Sequence, residues 1–395
     1  MITSLKNSIA AILPELIEWR QDFHRHPELM YDLPRTAGLV AERLRSFSFD
    51  EVIEGVGKTG VLGILHGSSG PAASKEKRVL FRADMDALPI EEASGVEHSS
   101  VAPGRMHACG HDGHTAILLG AARHLADTRA FDGTLVFCFQ PAEEGQAGAQ
   151  AMIDDGMLER FPVKGAYALH NWPGMPVGEF GVIRGPAMAS ADGVFINIQG
   201  KGGHAAQPHT TRDPIVAAGY IISSVQTIVS RVVNPFDQAV VSITAINGGD
   251  AFNVIPDNVE MKCGFRCFSE TVAAAIEGEL WRICEKTGEA LGVTVTVSRP
   301  PLTPYPPTIN HPDETEVALD AMRAVAGADK VRDDLNPVMG SEDFAFILRQ
   351  VPGAYVLVGN GDSAALHNPG YDFDDSAIPY GVAYWSELAA RVLPT

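Results

Sequence analysis

The chain has 395 residues, 45% of them hydrophobic and 20% charged. That is globular composition with room for two domains of roughly 100–200 residues each, and it excludes a disordered or low-complexity protein. The 30 Lys and Arg against 49 Asp and Glu leave a net charge of −19, a surface that repels phosphate backbones and anionic lipid and so argues against nucleic-acid and membrane partners.

The N-terminal stretch MITSLKNSIAAILPEL lacks a cationic start and a small-residue cleavage site, so no signal peptide is expected. Ile9, Ile12, Leu13, Leu16 and Ile17 fall at helical spacing. A second helix is expected from Thr36 to Phe47. Short apolar runs follow at 60–67, 78–90 and 134–141, with a helical stretch at 114–127 between the last two and another strand at 164–172. Strands alternating with helices predict an α/β domain around a largely parallel sheet. After Gly185 the order becomes β-α-β-β-α-β, with helices over 214–232 and 270–291. That is the order of a split β-α-β module with an antiparallel sheet. The Pro-rich segment 299–312 leads out, and the α/β character returns with a helix at 313–326, the strand AYVLVGN and a closing helix from Ser376. The expected division is a discontinuous α/β domain, 1–187 with 304–395, and an inserted α+β domain, 188–303. No uninterrupted apolar run nears the roughly 18 residues of a membrane span. Five cysteines are too few, and odd in number, for a disulfide scaffold, and fit a reducing cytoplasm.

The densest chemical signal is Met106-His-Ala-Cys-Gly-His-Asp-Gly-His114, which gathers His107, Cys109, His111 and His114 in a chain with 13 histidines in all. Cys109 and His111 are two apart and can aim at one point. Thiolate with imidazole suits Zn²⁺ better than Mg²⁺ or Ca²⁺. His114 is read as a cap on the following helix, and His107 is open between cap and ligand. A rival reading makes Cys109 a nucleophile with a histidine base. Glu143 and Glu144 follow the strand TLVFCF. Adjacent side chains diverge there, so one carboxylate can bind a metal while the other stays free as a base. His170 and His367 are each followed by Asn, the first ending the strand at 164–172 and the second close after AYVLVGN. Together these motifs supply the N, O and S donors that a two-metal site needs. In VEMKCGFRC, Met261, Cys263, Phe265 and Cys267 alternate onto one apolar face, which leaves Arg266 on the other.

With FHRHPEL, RADMDALPI, MHACGHDGHT, FQPAEEG, ALHNWPG, GKGGHAAQPH, NVIPD and MGSEDFAF, the chain resembles the aminoacylase and carboxypeptidase family of co-catalytic metallohydrolases over nearly its whole length. It is most similar to the branch of hippurate hydrolases, N-acyl-amino-acid amidohydrolases and auxin-conjugate hydrolases. The resemblance implies a catalytic domain with an inserted lid and dimerisation domain, a homodimer or tetramer, and a cytoplasmic enzyme. It implies two divalent ions bridged by Cys109, one held also by Glu144 and His367, the other by His111 and His170. Zn²⁺ is favoured, with Mn²⁺, Co²⁺ or Ni²⁺ as alternatives. Glu143 would be the general base and Asp84 would orient a ligating imidazole. Many relatives carry a ligating His in a His-x-Asp strand motif and a bridging Asp. Here the strand reads Arg82-Ala-Asp84, and Arg82 cannot ligate. His204, on Gly200-Lys-Gly-Gly-His204, would reach the partner subunit's site, and Asn253 and Arg266 would hold a substrate carboxylate. The reaction implied is hydrolysis of N-acyl amino acids. The alternatives are a dipeptidase or carboxypeptidase on the same framework, or a binding protein that lost the chemistry.

Overall fold

The computed structural model describes residues 2–395, with side chains from residue 7 onward. The chain separates into two compact units. The first comprises Met1–Ala187, Ile309–Asn336 and Asp343–Thr395, and the second Met188–Thr308 with Pro337–Glu342. The return to the first unit lies at Ile309 rather than at 304, and a six-residue excursion at 337–342 belongs to the second.

The first unit is built on an eight-stranded sheet. Its order is Glu51–Val56, Gly60–His66, Thr134–Gln140, Arg78–Asp84, Gly165–Trp172, Gly353–Gly359, Phe180–Val182 and Val331–Arg332. The middle four strands run parallel. Gly60–His66 and Phe180–Val182 join that core antiparallel, so the sheet is mixed at its margins. The parallel strands are buried along almost their entire length, as expected of a sheet covered on both faces. Ile2–Arg25, His111–Thr128 and Ile378–Val392 pack on one another. Trp385, on the last of them, is fully buried with its ring 4.7 Å from that of Phe81. Because the four central strands are parallel, their C-terminal ends share one edge, and Asp84, Gln140, Trp172 and Gly359 close them there. Edges of this kind are where open α/β sheets place their sites.

The second unit carries a four-stranded antiparallel sheet in the order Ala239–Asn247, Asn258–Cys267, Asp192–Gln199 and Thr294–Ser298. The helices Pro214–Thr227 and Glu270–Leu291 pack on it. Asp213 caps the first helix by accepting from the N–H groups of Ile215 and Val216, ahead of Pro214 at its first position. Gly292, in the left-handed region at φ 67°, closes the second. Along Asn258–Cys267, Met261, Cys263, Phe265 and Cys267 are buried and their neighbours are more open, the alternation expected from the sequence. The stretch Pro214–Val232, helix plus a terminal π turn, is 19 residues long and apolar enough by composition to cross a membrane, with 28% of it buried. Its bounds are those expected from the sequence, and scattered Ser, Thr and Gln keep its uninterrupted apolar runs short.

Candidate metal centre

Cys109 sits at the end of a buried loop, one residue before Gly110 starts the helix His111–Thr128. The helix begins three residues earlier than expected, so His111 lies in its first turn. Gly110 has φ 88°, and a Cβ there would come within 2.2 Å of Asn171 Oδ1. Only glycine makes this corner, and the corner brings Cys109 and His111 to one centre.

The ligand atoms of Cys109, His111 and Glu144 lie within 4.8 Å of one another. Cys109 Sγ is 3.5 Å from His170 Nε2. Glu144 Oε1 is 3.3 Å from His367 Nε2 and 3.9 Å from His111 Nε2. The five expected ligands are therefore brought together. His111 Nδ1 donates to the Asp86 carbonyl at 2.8 Å, and His170 Nδ1 donates to the Asn171 carbonyl at 2.7 Å. Each bond fixes the tautomer that leaves Nε2 with a lone pair facing the centre. Neither His111 Nε2 nor Glu144 Oε1 has a hydrogen-bond partner, although both are buried. Buried polar atoms are rarely left so, and a cation satisfies both at once.

The electrostatics agree. Burial lowers the His111 imidazole, but Asp84, Asp86 and Glu144 outweigh it and lift it to about 10. Burial also pushes the Cys109 thiol well up, and Glu144, Glu143 and Asp84 push it further. The centre thus draws positive charge, and a thiolate forms there when a cation supplies it.

Asp84 does not hydrogen-bond His111, the imidazole it was expected to orient. Its Oδ2 accepts from Arg82 Nη1 at 2.6 Å and its Oδ1 from His114 Nδ1 at 2.6 Å, while His111 Nε2 stands 3.8 Å away. Burial alone would raise the Asp84 carboxyl, yet His111, Arg82 and His114 hold it well below the usual range. His114 is not a helix cap. With Nδ1 on Asp84, its Nε2 accepts the Asn171 N–H at 2.9 Å, so both ring nitrogens are engaged. His107 is buried outside the ligand groups, with both ring nitrogens unpartnered, and burial lowers it to about 3. Arg82 also donates to Gln140 and Asp343.

Glu143 is buried beside Glu144. Ala142 and His367, which flank these groups, are non-glycine residues at φ 56° and 62°. Left-handed backbone of this kind persists where the surroundings enforce it and gathers at functional sites. The His367 N–H donates to the Ala108 carbonyl at 2.7 Å, tying its loop to the Cys109 loop.

The remaining candidates lie in the second unit. His204 and Val254 pair across two short antiparallel strands, and the Ala205 N–H donates to the Asn253 carbonyl at 3.0 Å. His204 and Asn253 are therefore exposed neighbours. None of Gly200, Gly202 and Gly203 has a positive φ. Gly200 and Gly202 are needed for space, since a Cβ would meet Arg212 O at 2.2 Å or Ile255 O at 2.5 Å. Arg266 is half-buried and its Nη1 donates to the Met339 carbonyl at 2.8 Å.

Residues 80–391 match the model of Peptidase family M20/M25/M40. The hippurate hydrolase of Campylobacter jejuni is 37% identical, over 97% of this chain and 99% of its own length. The N-acetylcysteine deacetylase of Bacillus subtilis is 38% identical, over 96% and 97%. Among solved structures, the YXEP protein of Bacillus subtilis, described as a dinuclear metal-binding peptidase, is similar with a TM-score of 0.83 and 34% identity, over 98% of this chain and 99% of that one. With the donors clustered on one sheet edge and the match running through almost the entire length, the chain belongs to the peptidase family M20/M25/M40.

Proposed function

We propose that this protein is a metal-dependent amidohydrolase that cleaves the amide between an acyl group and an amino acid bearing a free carboxylate. The observation that carries the reading is the convergence of Cys109, His111, Glu144, His170 and His367 around two unpartnered buried atoms, with Glu143 beside them. Cys109 would bridge two divalent ions, one completed by Glu144 and His367 and the other by His111 and His170. The thiolate and imidazoles favour Zn²⁺, with Mn²⁺, Co²⁺ or Ni²⁺ as substitutes. Bound there, the ions would supply Lewis-acid activation of the amide carbonyl and of a water.

The chain's own groups do the rest. Glu143 takes the proton of the attacking water and passes it to the leaving amine. His204 donates to the oxygen on which negative charge develops. Arg266, with Asn253, binds the carboxylate of the amino acid. We read His204 as serving the partner subunit of a homodimer. In support, Ile215, Val216, Tyr220, Val229 and Val232 are exposed along 214–232, more apolar surface than a lone soluble helix usually shows. All five cysteines are free thiols, which fits a cytoplasmic enzyme.

The test is a panel of benzoyl-, acetyl-, indoleacetyl- and succinyl-amino acids, with unblocked dipeptides beside them, assayed with added Zn²⁺, Mn²⁺ or Co²⁺ and again with chelator. Metal-dependent release of the amino acid is expected. Turnover confined to dipeptides would replace the reading by a peptidase, and turnover unaffected by chelation would remove the metals from it. Cys109→Ser should lower occupancy of both ions, and two full equivalents in that variant would show that Cys109 is not the bridge.

A further inference from the structure

We infer that Asp86 is a positioning residue that sets the general base and two metal ligands at once, an inference that rests on the roles just proposed for Glu143, Glu144 and His111. Asp86 follows the strand Arg78–Asp84 by two residues and is buried. Its two carboxylate oxygens are divided between the adjacent glutamates. Oδ1 accepts the Glu143 N–H at 2.9 Å, and Oδ2 accepts the Glu144 N–H at 3.1 Å. Its backbone carbonyl accepts His111 Nδ1 at 2.8 Å. One residue thus holds the peptide from which base and ligand diverge, and also the tautomer of a second ligand.

The need for such a clamp is local. Glu143 and Glu144 follow Ala142, whose left-handed backbone at φ 56° is unfavourable for a residue with a Cβ. They precede Gly145 at φ 84°. Two consecutive backbone N–H groups pointing the same way find no partner in a strand or helix at this turn, so a buried carboxylate takes both. Hydrogen bonds to an ionised acceptor are roughly twice as strong as neutral ones. Asparagine at position 86 keeps the shape and one acceptor but turns an N–H₂ toward the other N–H. Because Glu143 and Glu144 share that peptide, a shift of one shifts both. Asp84 offers no substitute, since its oxygens are taken by Arg82 and His114.

The experiment compares Asp86→Asn with the unaltered protein and with Glu143→Gln. Circular dichroism and Tm establish folding, competition with a chelator gives Co²⁺ affinity, and steady-state kinetics at saturating metal separates kcat from KM. A folded Asp86→Asn protein should bind Co²⁺ about 10–100-fold more weakly, the range for residues that orient ligands. Metal-saturated, its kcat should fall by a similar factor while KM changes little. Glu143→Gln should lose turnover and keep its Co²⁺ affinity. If Glu143→Gln turns over normally, the base assignment fails, while a weakened Co²⁺ affinity in Asp86→Asn still upholds the part played on Glu144 and His111. A folded Asp86→Asn protein with unaltered Co²⁺ affinity and kcat overturns the inference. Should that variant not fold, Asp86→Ser, whose hydroxyl can still accept one N–H, is read by the same measurements. If neither variant folds even with metal supplied, Asp86 is a residue of the fold alone and the inference falls.

Discussion

The two units put their exceptional residues in opposite places. In the first, charge is hidden. Arg20, His24, Arg82, Asp84, Asp86, His111, Asp112, His114, Glu143, His170 and Asp343 are all buried. In the second, among the described residues, Glu342 is the one acidic or basic residue buried to that degree, and the apolar residues are the ones on show. Among the described residues fifteen large hydrophobic side chains are exposed, and all but Val101 and Ile309 belong to it. Burying charge costs several kcal/mol per ion unless pairing returns it, and exposing apolar surface forfeits about 25 cal/mol per Å². Each unit tolerates its own cost, which fits the metal chemistry in one and the partner surface proposed for the other.

The sharpest way to break this contrast is at the base. Glu143→Gln should lower kcat by roughly 10²–10⁴-fold, with metal content and Tm retained. Near-normal turnover in the purified variant would leave the first unit without its proposed catalyst. Next comes the buried framework. Arg82→Met leaves Asp84 and Asp343 buried without their cation and should destabilise the protein by about 3–5 kcal/mol, measured as a lowered denaturation midpoint. A change under about 1 kcal/mol would mean that the network is not held by that guanidinium. The third prediction concerns the exposed unit. His204→Ala and Glu143→Gln chains, each nearly inactive alone, should regain up to half the activity per mixed dimer after subunit exchange, because one site then has both residues. No recovery after verified exchange would return His204 to its own chain. In the same assay Tyr220→Glu, on the exposed helix, should shift the protein toward monomer in sedimentation and leave metal content per chain unchanged. A dimer as stable as before would exclude this helix from the interface.

How much of this the sequence disclosed depends on how far each residue's partner lies along the chain. Cys109 and His111 are legible because two donors fall within three residues and the clustering is itself the signal. Arg266 is legible from period-two alternation. The lone histidines His170 and His367 are indistinct by themselves, gain weight from their places at strand ends beside the other donors, and are assigned to particular ions only through the resemblance. Asp86 escaped notice because its partners are backbone N–H groups 57 and 58 residues away, and side-chain patterns say nothing about those. The spacing of Asp84 and Asp86 on an extended segment was the available clue. His114 reads as a cap because the helical periodicity begins there, whereas the helix starts at His111 on Gly110, whose left-handed backbone is invisible as such in a sequence. The edge strand Glu51–Val56 carries Gly55 and is largely exposed, so it lacks the apolar run that makes its neighbours legible.

The clasp between His367 and Ala108 joins segments 259 residues apart in the chain. During synthesis at roughly 5–20 residues per second, Cys109 and His111 leave the ribosome many seconds before His367. In that interval the chain has the thiol and imidazoles that attract cations but not the loop that brings His367 beside Glu144. The inserted unit, whose main span lies wholly between these segments, has time to fold on its own antiparallel sheet first. A chain cut short before His367 would therefore carry a folded insert beside an unfinished centre, and the missing His367–Ala108 bond rather than any defect in the middle would mark the loss.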